Sequence, residues 1–324
     1  MILVTGANGF IGRRLCQSLL NSGHPVRQAV RTAERCVSAA ADTAEVVEVG
    51  DIGPETAWQQ ALNSVELVVH LAARAHCLDR TGGVARDYLE VNALGTERLA
   101  QQAAAAGVRR FVLLSTIKVN GERTGMLDNG GVERFTENDP PRPEGPYAES
   151  KREAEKRLLA VGAATGMEVV IIRPPLVYGP GAKANLRRLL NMIHRGFFLP
   201  FGSVRNGRNL VYLDNLVDFI VCCLYHPAAA GETFLVSDDQ ELSTPELIRQ
   251  LAAAMGREAR LWPCPVPLLR LAGWLLGRSA ETERLTGSLR VDSGKARSVL
   301  GWRPPSAVVL GIRETADWYL RHQE

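Results

Sequence analysis

The feature that most constrains this chain lies at its start. A short apolar, partly β-branched run, Ile2-Leu3-Val4-Thr5, is followed at once by Gly6-Ala7-Asn8-Gly9-Phe10-Ile11-Gly12. The periodicity then predicts a helix over 13–21, with Ile11, Leu15, Leu19 and Leu20 on its inner face and Gly23 as its stop. Val26 to Val30 reads as a second strand. This is a β-α-β unit with glycines spaced GxxGxxG at its first corner. Gly6 permits the tight turn. Gly9 lets a pyrophosphate approach the backbone, and Gly12 lets the helix pack closely on the strand. The helix N-terminus offers free N–H groups and a positive dipole end to phosphates, at Phe10 and Ile11 as well as the glycines. A chain that begins this way is expected to be a doubly wound, Rossmann-type α/β fold that binds a dinucleotide.

The residue after the second strand selects the dinucleotide. A free ribose 2′-hydroxyl is usually met by Asp or Glu there, and a 2′-phosphate by Arg. This chain has Val30, then Arg31, with Arg35 close by. NADP(H) is therefore favoured, with NAD(H) possible. Asp51-Ile52 ends a third strand, where adenine would lie. Leu71-Ala72-Ala73 ends a fourth, where small residues permit close approach of a cofactor. His70 reads as a hydrogen-bonded histidine at a strand end rather than as a ligand.

With 324 residues, 46 % of them apolar, the chain has material for a large α/β domain and a smaller lobe. Residues 1–172 are expected to form the NAD(P)-binding domain, with a return segment at about 209–236. Residues 173–208 and 237–324 are expected to form a C-terminal substrate-binding α/β lobe. A net charge of +3 without Lys/Arg-rich runs gives no attraction to nucleic acid. Six cysteines show neither CxxC nor metal-ligand spacing, so no metal site is expected, and reduced thiols point to a cytoplasmic protein. No secretory signal is read, and no apolar run is long enough to span a membrane. The stretch Val266 to Leu276 reads as a core helix of the smaller lobe rather than a surface anchor. Residues 122–146, polar and rich in Gly and Pro, read as a flap beside the active site. Asp214 is expected to cap a helix, and Thr244, followed by Pro245, another.

Tyr147 and Lys151 form a YxxxK pair on one helix face. An ammonium beside a phenol favours the phenolate, so the phenol's pKa is expected to fall from about 10 toward working pH. That would make Tyr147 a proton donor or acceptor. Thr116 ends a strand at the sheet edge where ligands of open α/β folds bind, placed to hydrogen-bond the same substrate oxygen.

Taken together, these motifs resemble the extended short-chain dehydrogenases/reductases, in the branch of NAD(P)-dependent sugar-nucleotide epimerases, dehydratases and reductases. The resemblance runs over essentially the whole chain: Thr-Gly-Ala-Asn-Gly-Phe-Ile-Gly at 5–12, His-Leu-Ala-Ala at 70–73, Asn92-x-x-Gly95-Thr96, the run from Ser115 to Gly121, Pro146 to Lys151, Arg173-Pro174, Val177 to Gly181, Arg208 before Leu213-Asp214, and Asp292-Ser293-x-Lys295 before Gly301-Trp302. It implies that Thr116 is the catalytic Ser/Thr, Tyr147 the acid/base, and Lys151 its electrostatic partner and a ribose ligand. It implies that Asn92 lies near the nicotinamide and that Pro174 and Pro175 border the same ring. It places Asn185 at the nucleotide base and Arg208 on the diphosphate of a UDP-linked sugar, where a forked cation fits phosphate oxygens.

Departures from the family pattern narrow the reaction. The dehydratases carry Asp-Glu after the catalytic Thr; Ile117-Lys118 stands here, so dehydration is unsupported. Asn120 replaces a common Tyr and Leu176 a common Asn. The Ile-Lys-Val-Asn-Gly variant and Arg31 are similar to NADPH-using 4-keto reductases that complete UDP-N-acetylquinovosamine. The expected function is reduction of the 4-keto group of a UDP-linked 6-deoxy-hexosulose, with Lys118 either on a substrate oxygen or at the rim. The alternatives are an NAD-dependent UDP-hexose or UDP-N-acetylhexosamine 4-epimerase and a non-catalytic NADP sensor. The intact Thr116/Tyr147/Lys151 set argues against a sensor. A homodimer is the default assembly.

Overall fold

A computed structural model describes residues 1–32, 44–75, 84–126, 130–182 and 184–323. Arg35, Cys36 and Cys77 lie outside the described residues. The first half alternates β1 (Ile2–Thr5), α1 (Phe10–Asn21), β2 (Val26–Val30), β3 (Ala44–Glu48), α2 (Gln59–Leu62), β4 (Leu67–His70), α3 (Val84–Tyr88), α4 (Gly95–Ala105), β5 (Arg110–Leu114), α5 (Pro146–Thr165) and β6 (Glu168–Arg173). The second half holds β7 (Leu176–Tyr178), α6 (Ala184–His194), β8 (Arg208–Tyr212), α7 (Leu213–Tyr225), β9 (Thr233–Leu235), β10 (Glu241–Leu242), α8 (Thr244–Ala254), α9 (Val266–Leu275), α10 (Ser279–Thr286), α11 (Gly294–Leu300) and α12 (Val308–Arg321).

Seven strands make one parallel sheet in the order β3-β2-β1-β4-β5-β6-β9. Ile2 stands opposite Val26 on one side and Leu67 on the other. Alternate side chains enter opposite cores, as a two-residue period requires. Leu3, Val68 and Phe111 face the layer of α4 and α5, whereas Val4, Val69 and Val112 face α1 and α7. The strand order reverses between β1 and β4, so a crevice opens there at the carboxyl edge. The parallel arrangement brings Gly6, Arg31, Leu71, Thr116 and Pro174 to that one edge. A second sheet, β10-β8-β7, belongs to the C-terminal half.

Several local expectations are corrected. Helix α1 begins at Phe10, not Arg13, with Gly9 as N-cap and no side-chain cap. Asp214 does not cap α7; its carboxylate reaches across to Arg14 of α1, with Nε at 2.6 Å and Nη2 at 2.7 Å. The cap of α8 is Ser243, in a capping box with Glu246. Thr244 instead donates its hydroxyl to the Leu285 carbonyl at 2.7 Å. The 122–146 segment is fastened rather than free at its described residues. Thr124 bridges to Ser288 and Phe135 to Val291, and the Phe135 ring packs with Ile117, Leu235, Leu289 and Val291. Helix α9 is not a core helix: only Leu269 and Gly273 are buried in it. Among the described residues, Cys222, Cys223 and Cys264 are free thiols, and no helix is long and apolar enough to cross a membrane.

Candidate active site

The glycine turn is closed by sterics. Gly6 takes φ +67°, and a Cβ there would meet the Ala72 nitrogen at 2.9 Å. A Cβ on Gly12 would fall 2.1 Å from the Gly6 carbonyl oxygen. Strand β1, α1 and the Leu71-Ala72 end of β4 thus approach one another as only glycine allows. The early start of α1 puts the amides of Phe10, Ile11 and Gly12 in its uncapped first turn. This cradle fits a dinucleotide pyrophosphate.

Below the crevice, a relay of hydroxyls fixes the strand ends. The Ala72 amide donates to Thr5 Oγ1 at 3.2 Å, and the Thr5 hydroxyl faces His70 Nδ1 at 2.7 Å. On the other side His70 Nε2 meets Thr96 Oγ1 at 3.0 Å, and that hydroxyl donates to the Asn92 carbonyl at 2.6 Å. Thr96 spends its proton on Asn92, so His70 must carry its proton on Nε2 and accept at Nδ1. Burial pushes the His70 pKa down to about 3, with the Lys151 charge adding to the effect. It is a neutral structural histidine.

Asn92 lies in a π-helical turn, Leu89–Leu94, that joins α3 to α4. Its amide donates to the Arg74 carbonyl at 3.1 Å and to Ser150 Oγ at 3.0 Å, and its oxygen accepts from the Arg74 amide at 2.8 Å. Both its N–H groups are therefore used in fastening the Ala73-Arg74 loop to α5. The Ser150 hydroxyl continues to the Tyr147 carbonyl at 2.8 Å.

Helix α5 carries Tyr147 and Lys151 one turn apart, beside the end of β5. The Lys151 ammonium is buried and donates to the Leu114 carbonyl at 2.7 Å. Burial lowers its pKa to about 8, against the opposing pull of Glu155. The expected lowering of the Tyr147 pKa is not found. Burial pushes the phenol up to about 12, helped by Tyr88, whose ring centroid is 6.0 Å away. The physical reason is that Lys151 directs its charge to Leu114, while the phenol sits among low-dielectric neighbours. Thr116 follows Leu114 by two residues, buried and extended, and its Oγ1 accepts from the Lys118 amide at 3.3 Å.

A buried carboxylate completes the site, and sequence reasoning missed it. Glu155 receives the Ser115 hydroxyl and a forked pair from Arg173, at 2.9 and 2.6 Å. Arg173 also donates to Asn120 at 3.0 Å, which in turn holds the Thr136 carbonyl at 2.8 Å. The available signal was spacing: Glu155 falls four residues after Lys151, on the same helix face.

The remaining candidates lie around this centre. Pro174 and Pro175 are buried at the end of β6, where the Pro174 carbonyl accepts the Ile117 amide at 3.0 Å. Arg31 and Asp51 are both exposed and pair at 2.8 Å. Ile52 packs under Gly95, where a Cβ would meet its methyl at 2.6 Å. Lys118 pairs with Glu122. Arg208 is tied to the carbonyls of Arg284 and Gly287 at 2.8 and 3.1 Å. Asn185 is exposed on the first turn of α6.

A parallel Rossmann-type sheet, a GxxGxxG cradle and a Thr/Tyr/Lys set beside it define an extended short-chain dehydrogenase/reductase. The chain belongs to the NAD dependent epimerase/dehydratase family, whose model matches residues 2–237. It is 45 % identical over 323 residues to a UDP-glucose 4-epimerase of Vibrio cholerae, covering 99 % of this chain and 95 % of the relative. It is 30 % identical over 330 residues to a UDP-glucose 4-epimerase of Mycolicibacterium smegmatis, covering 98 % and 97 %. Among solved structures, MoeE5 in complex with UDP-glucose and NAD superposes with a TM-score of 0.78 at 25 % identity, covering 99 % and 98 %.

Proposed function

We propose that this protein is an NAD-dependent 4-epimerase of a UDP-linked hexose or N-acetylhexosamine. The observation that carries the reading is the end-to-end likeness, at 45 % identity, to the Vibrio cholerae UDP-glucose 4-epimerase. It replaces 4-keto reduction as the leading assignment. The cofactor reading follows the same direction. The solved structure of MoeE5, at 25 % identity, is of its complex with UDP-glucose and NAD.

Gly6, Gly9, Phe10, Ile11 and Gly12 would hold the pyrophosphate, Asp51 and Ile52 the adenosine end, and Leu71, Ala72, Ala73, Pro174 and Pro175 the nicotinamide end. When bound there, NAD supplies a hydride acceptor that becomes the donor later in the same cycle, so no net redox change occurs. Tyr147 takes the proton from the sugar 4-hydroxyl and returns it to the 4-oxygen. Thr116 hydrogen-bonds that oxygen. Lys151 would hold the cofactor ribose and supply the positive charge that favours the Tyr147 phenolate. Asn92 acts as a positioning residue. Arg208 holds the diphosphate, Asn185 meets the base, and Lys118 with Glu122 borders the sugar. The segments 173–208 and 237–324 form the substrate lobe, and the assembly is a homodimer.

One observation favours a second reading, the NADPH-dependent 4-keto reductase: β2 ends in Val30-Arg31 with no carboxylate following. The two are separated by one experiment. The purified protein is given UDP-glucose or its N-acetyl form, and separately a UDP-4-keto-6-deoxy-N-acetylhexosamine with NADPH or NADH. Interconversion of the UDP-hexoses without loss of absorbance at 340 nm supports the epimerase. Oxidation of NADPH with the keto sugar, and no interconversion, overturns it. Arg31→Asp is expected to leave epimerisation with NAD intact; a shift from NADPH to NADH preference would instead favour the reductase.

A further inference from the structure

Helix α9 presents an apolar face to solvent. At 100° per residue, Pro267, Leu268, Leu271, Trp274 and Leu275 fall within one arc of about 120°. All five are exposed, Trp274 and Leu275 each by 69 %, and Leu276 follows at 74 %. The opposite side carries Leu269 and Gly273, and a Cβ on Gly273 would lie 2.2 Å from Thr282 Oγ1 of α10. The helix is therefore held closely by its back while its most apolar side chains point outward.

Further exposed aromatic side chains lie outside the helix. The Leu199 amide donates to the Arg260 carbonyl at 2.8 Å and the Trp262 amide to the Leu199 carbonyl at 2.9 Å. This parallel pairing sets the exposed Phe198 opposite Arg260, whose guanidinium lies 5.5 Å from the ring centroid, and the exposed Trp262 opposite Pro200, four residues before α9 begins. Scattered exposed leucines need no explanation, but a contiguous set of this size marks an interaction surface.

We propose that this face docks the protein peripherally on an anionic phospholipid bilayer. Two features select a bilayer. First, the exposed arc of α9 has no polar side chain apart from the Trp indole, whereas protein interfaces carry about one hydrogen bond per 100–200 Å². Leucines on one side with tryptophans at the edge suit the boundary between headgroups and acyl chains. Second, the surround is basic. Between 256 and 286, Arg257, Arg260, Arg270, Arg278 and Arg284 stand against Glu258, Glu281 and Glu283, and 169–213 contains no Asp or Glu at all, with Arg195 and Arg205 flanking the phenylalanines. Arg270 meets Glu283 at 3.3 Å and Arg278 meets Glu281 at 3.9 Å, but all four are solvent-accessible. Such exposed pairs are weak enough to yield to lipid phosphates. The helix is too short to span a membrane, so the association is interfacial.

The test is flotation of the full chain with vesicles of phosphatidylcholine, with and without phosphatidylglycerol. The protein is expected to float with the anionic vesicles, with a blue shift of tryptophan emission that Trp274→Phe diminishes. Leu271→Glu/Leu275→Glu is expected to weaken binding by more than about tenfold, with epimerase turnover and thermal midpoint unchanged, since both side chains are exposed. Arg270→Gln/Arg278→Gln is expected to weaken binding by about fivefold per arginine on anionic vesicles only. No flotation with either vesicle overturns the proposal. So does a wild-type oligomer that Leu271→Glu/Leu275→Glu splits while vesicle binding is absent, for the face would then join two copies of the chain.

Discussion

Tyr147 sits in surroundings that oppose its ionisation, and that sets what its mutation should do. Burial pushes the phenol up to about 12, so Tyr147 can accept the sugar 4-hydroxyl proton only once the positive charges of Lys151 and of bound NAD favour its phenolate. Tyr147→Phe removes that proton transfer and leaves the packing against Tyr88. It is expected to lower kcat by about 10²- to 10⁴-fold, with cofactor affinity unchanged in a binding titration. Lys151 sets the pH range. Its pKa is lowered to about 8, so the ammonium is present below that value and lost as pH rises through it. The kcat profile is expected to fall above about pH 8, and Lys151→Met should lower the plateau and abolish that limb. A profile flat across this range would show that the charge is not used. His70 gives a stability signature instead. Its folded pKa of about 3 lies below the ordinary 6.5, so the unfolded chain takes up the proton first as pH falls. The contribution of neutral His70 is complete above about 6.5 and is lost toward 3, at up to about 1.4 kcal/mol per pH unit. Urea unfolding at about pH 7 and about pH 5, for wild type and His70→Gln, should show the variant with the flatter dependence.

At the scale of elements, the glycine turn separates two kinds of glycine. Gly12→Ala would drive a methyl to 2.1 Å from the Gly6 carbonyl oxygen, where backbone must move. It is expected to abolish cofactor retention and to lower the thermal midpoint. Gly23→Ala meets nothing within 4 Å, although φ is +76°. It should cost only the local strain, of order 1 kcal/mol, and leave cofactor binding intact. Calorimetric titration with NAD on both variants checks the contrast. The same turn shows what was legible beforehand. The spacing of Gly6, Gly9 and Gly12, the alternation of strands and helices, and the YxxxK pair are local patterns, and local patterns survive in sequence. The π turn around Asn92 was not readable, because its extra residue leaves the apolar period almost unchanged. Helix α9 was misread for a related reason. Hydrophobicity marks a face that avoids water, but it does not say whether protein or another medium covers it. The caps of α7 and α8 were misassigned by one or two residues because Asp214 and Thr244 spend their side chains on distant partners, Arg14 and Leu285.

The whole molecule converges on Glu155 and Arg173. Ser115 precedes Thr116 at the end of β5, and its hydroxyl binds Glu155. Glu155 shares α5 with Tyr147 and Lys151. Arg173 ends β6 immediately before Pro174 and Pro175, and through Asn120 it reaches Thr136 in the segment pinned to the C-terminal half. One buried pair therefore sets the mutual position of two strands, helix α5 and the described part of the 122–146 segment. Both side chains are almost wholly removed from solvent, at 5 % and 8 % exposure. A buried charge left alone is far costlier than a buried pair removed together. Glu155→Gln is accordingly expected to cost about 3–5 kcal/mol of stability. It should also lower kcat, because Lys151 loses its nearby carboxylate and Ser115 its acceptor. Arg173→Met alone should cost a similar amount. In Glu155→Met/Arg173→Met the unpaired charge disappears, so stability should recover by several kcal/mol relative to the sum of the single variants, while kcat stays low. A double-mutant cycle read by urea unfolding, with turnover measured on the same samples, separates the two effects. Recovery of both quantities in the double variant would mean that the pair only fills space. Recovery of stability alone would show that its charge and forked geometry position the catalytic strand ends.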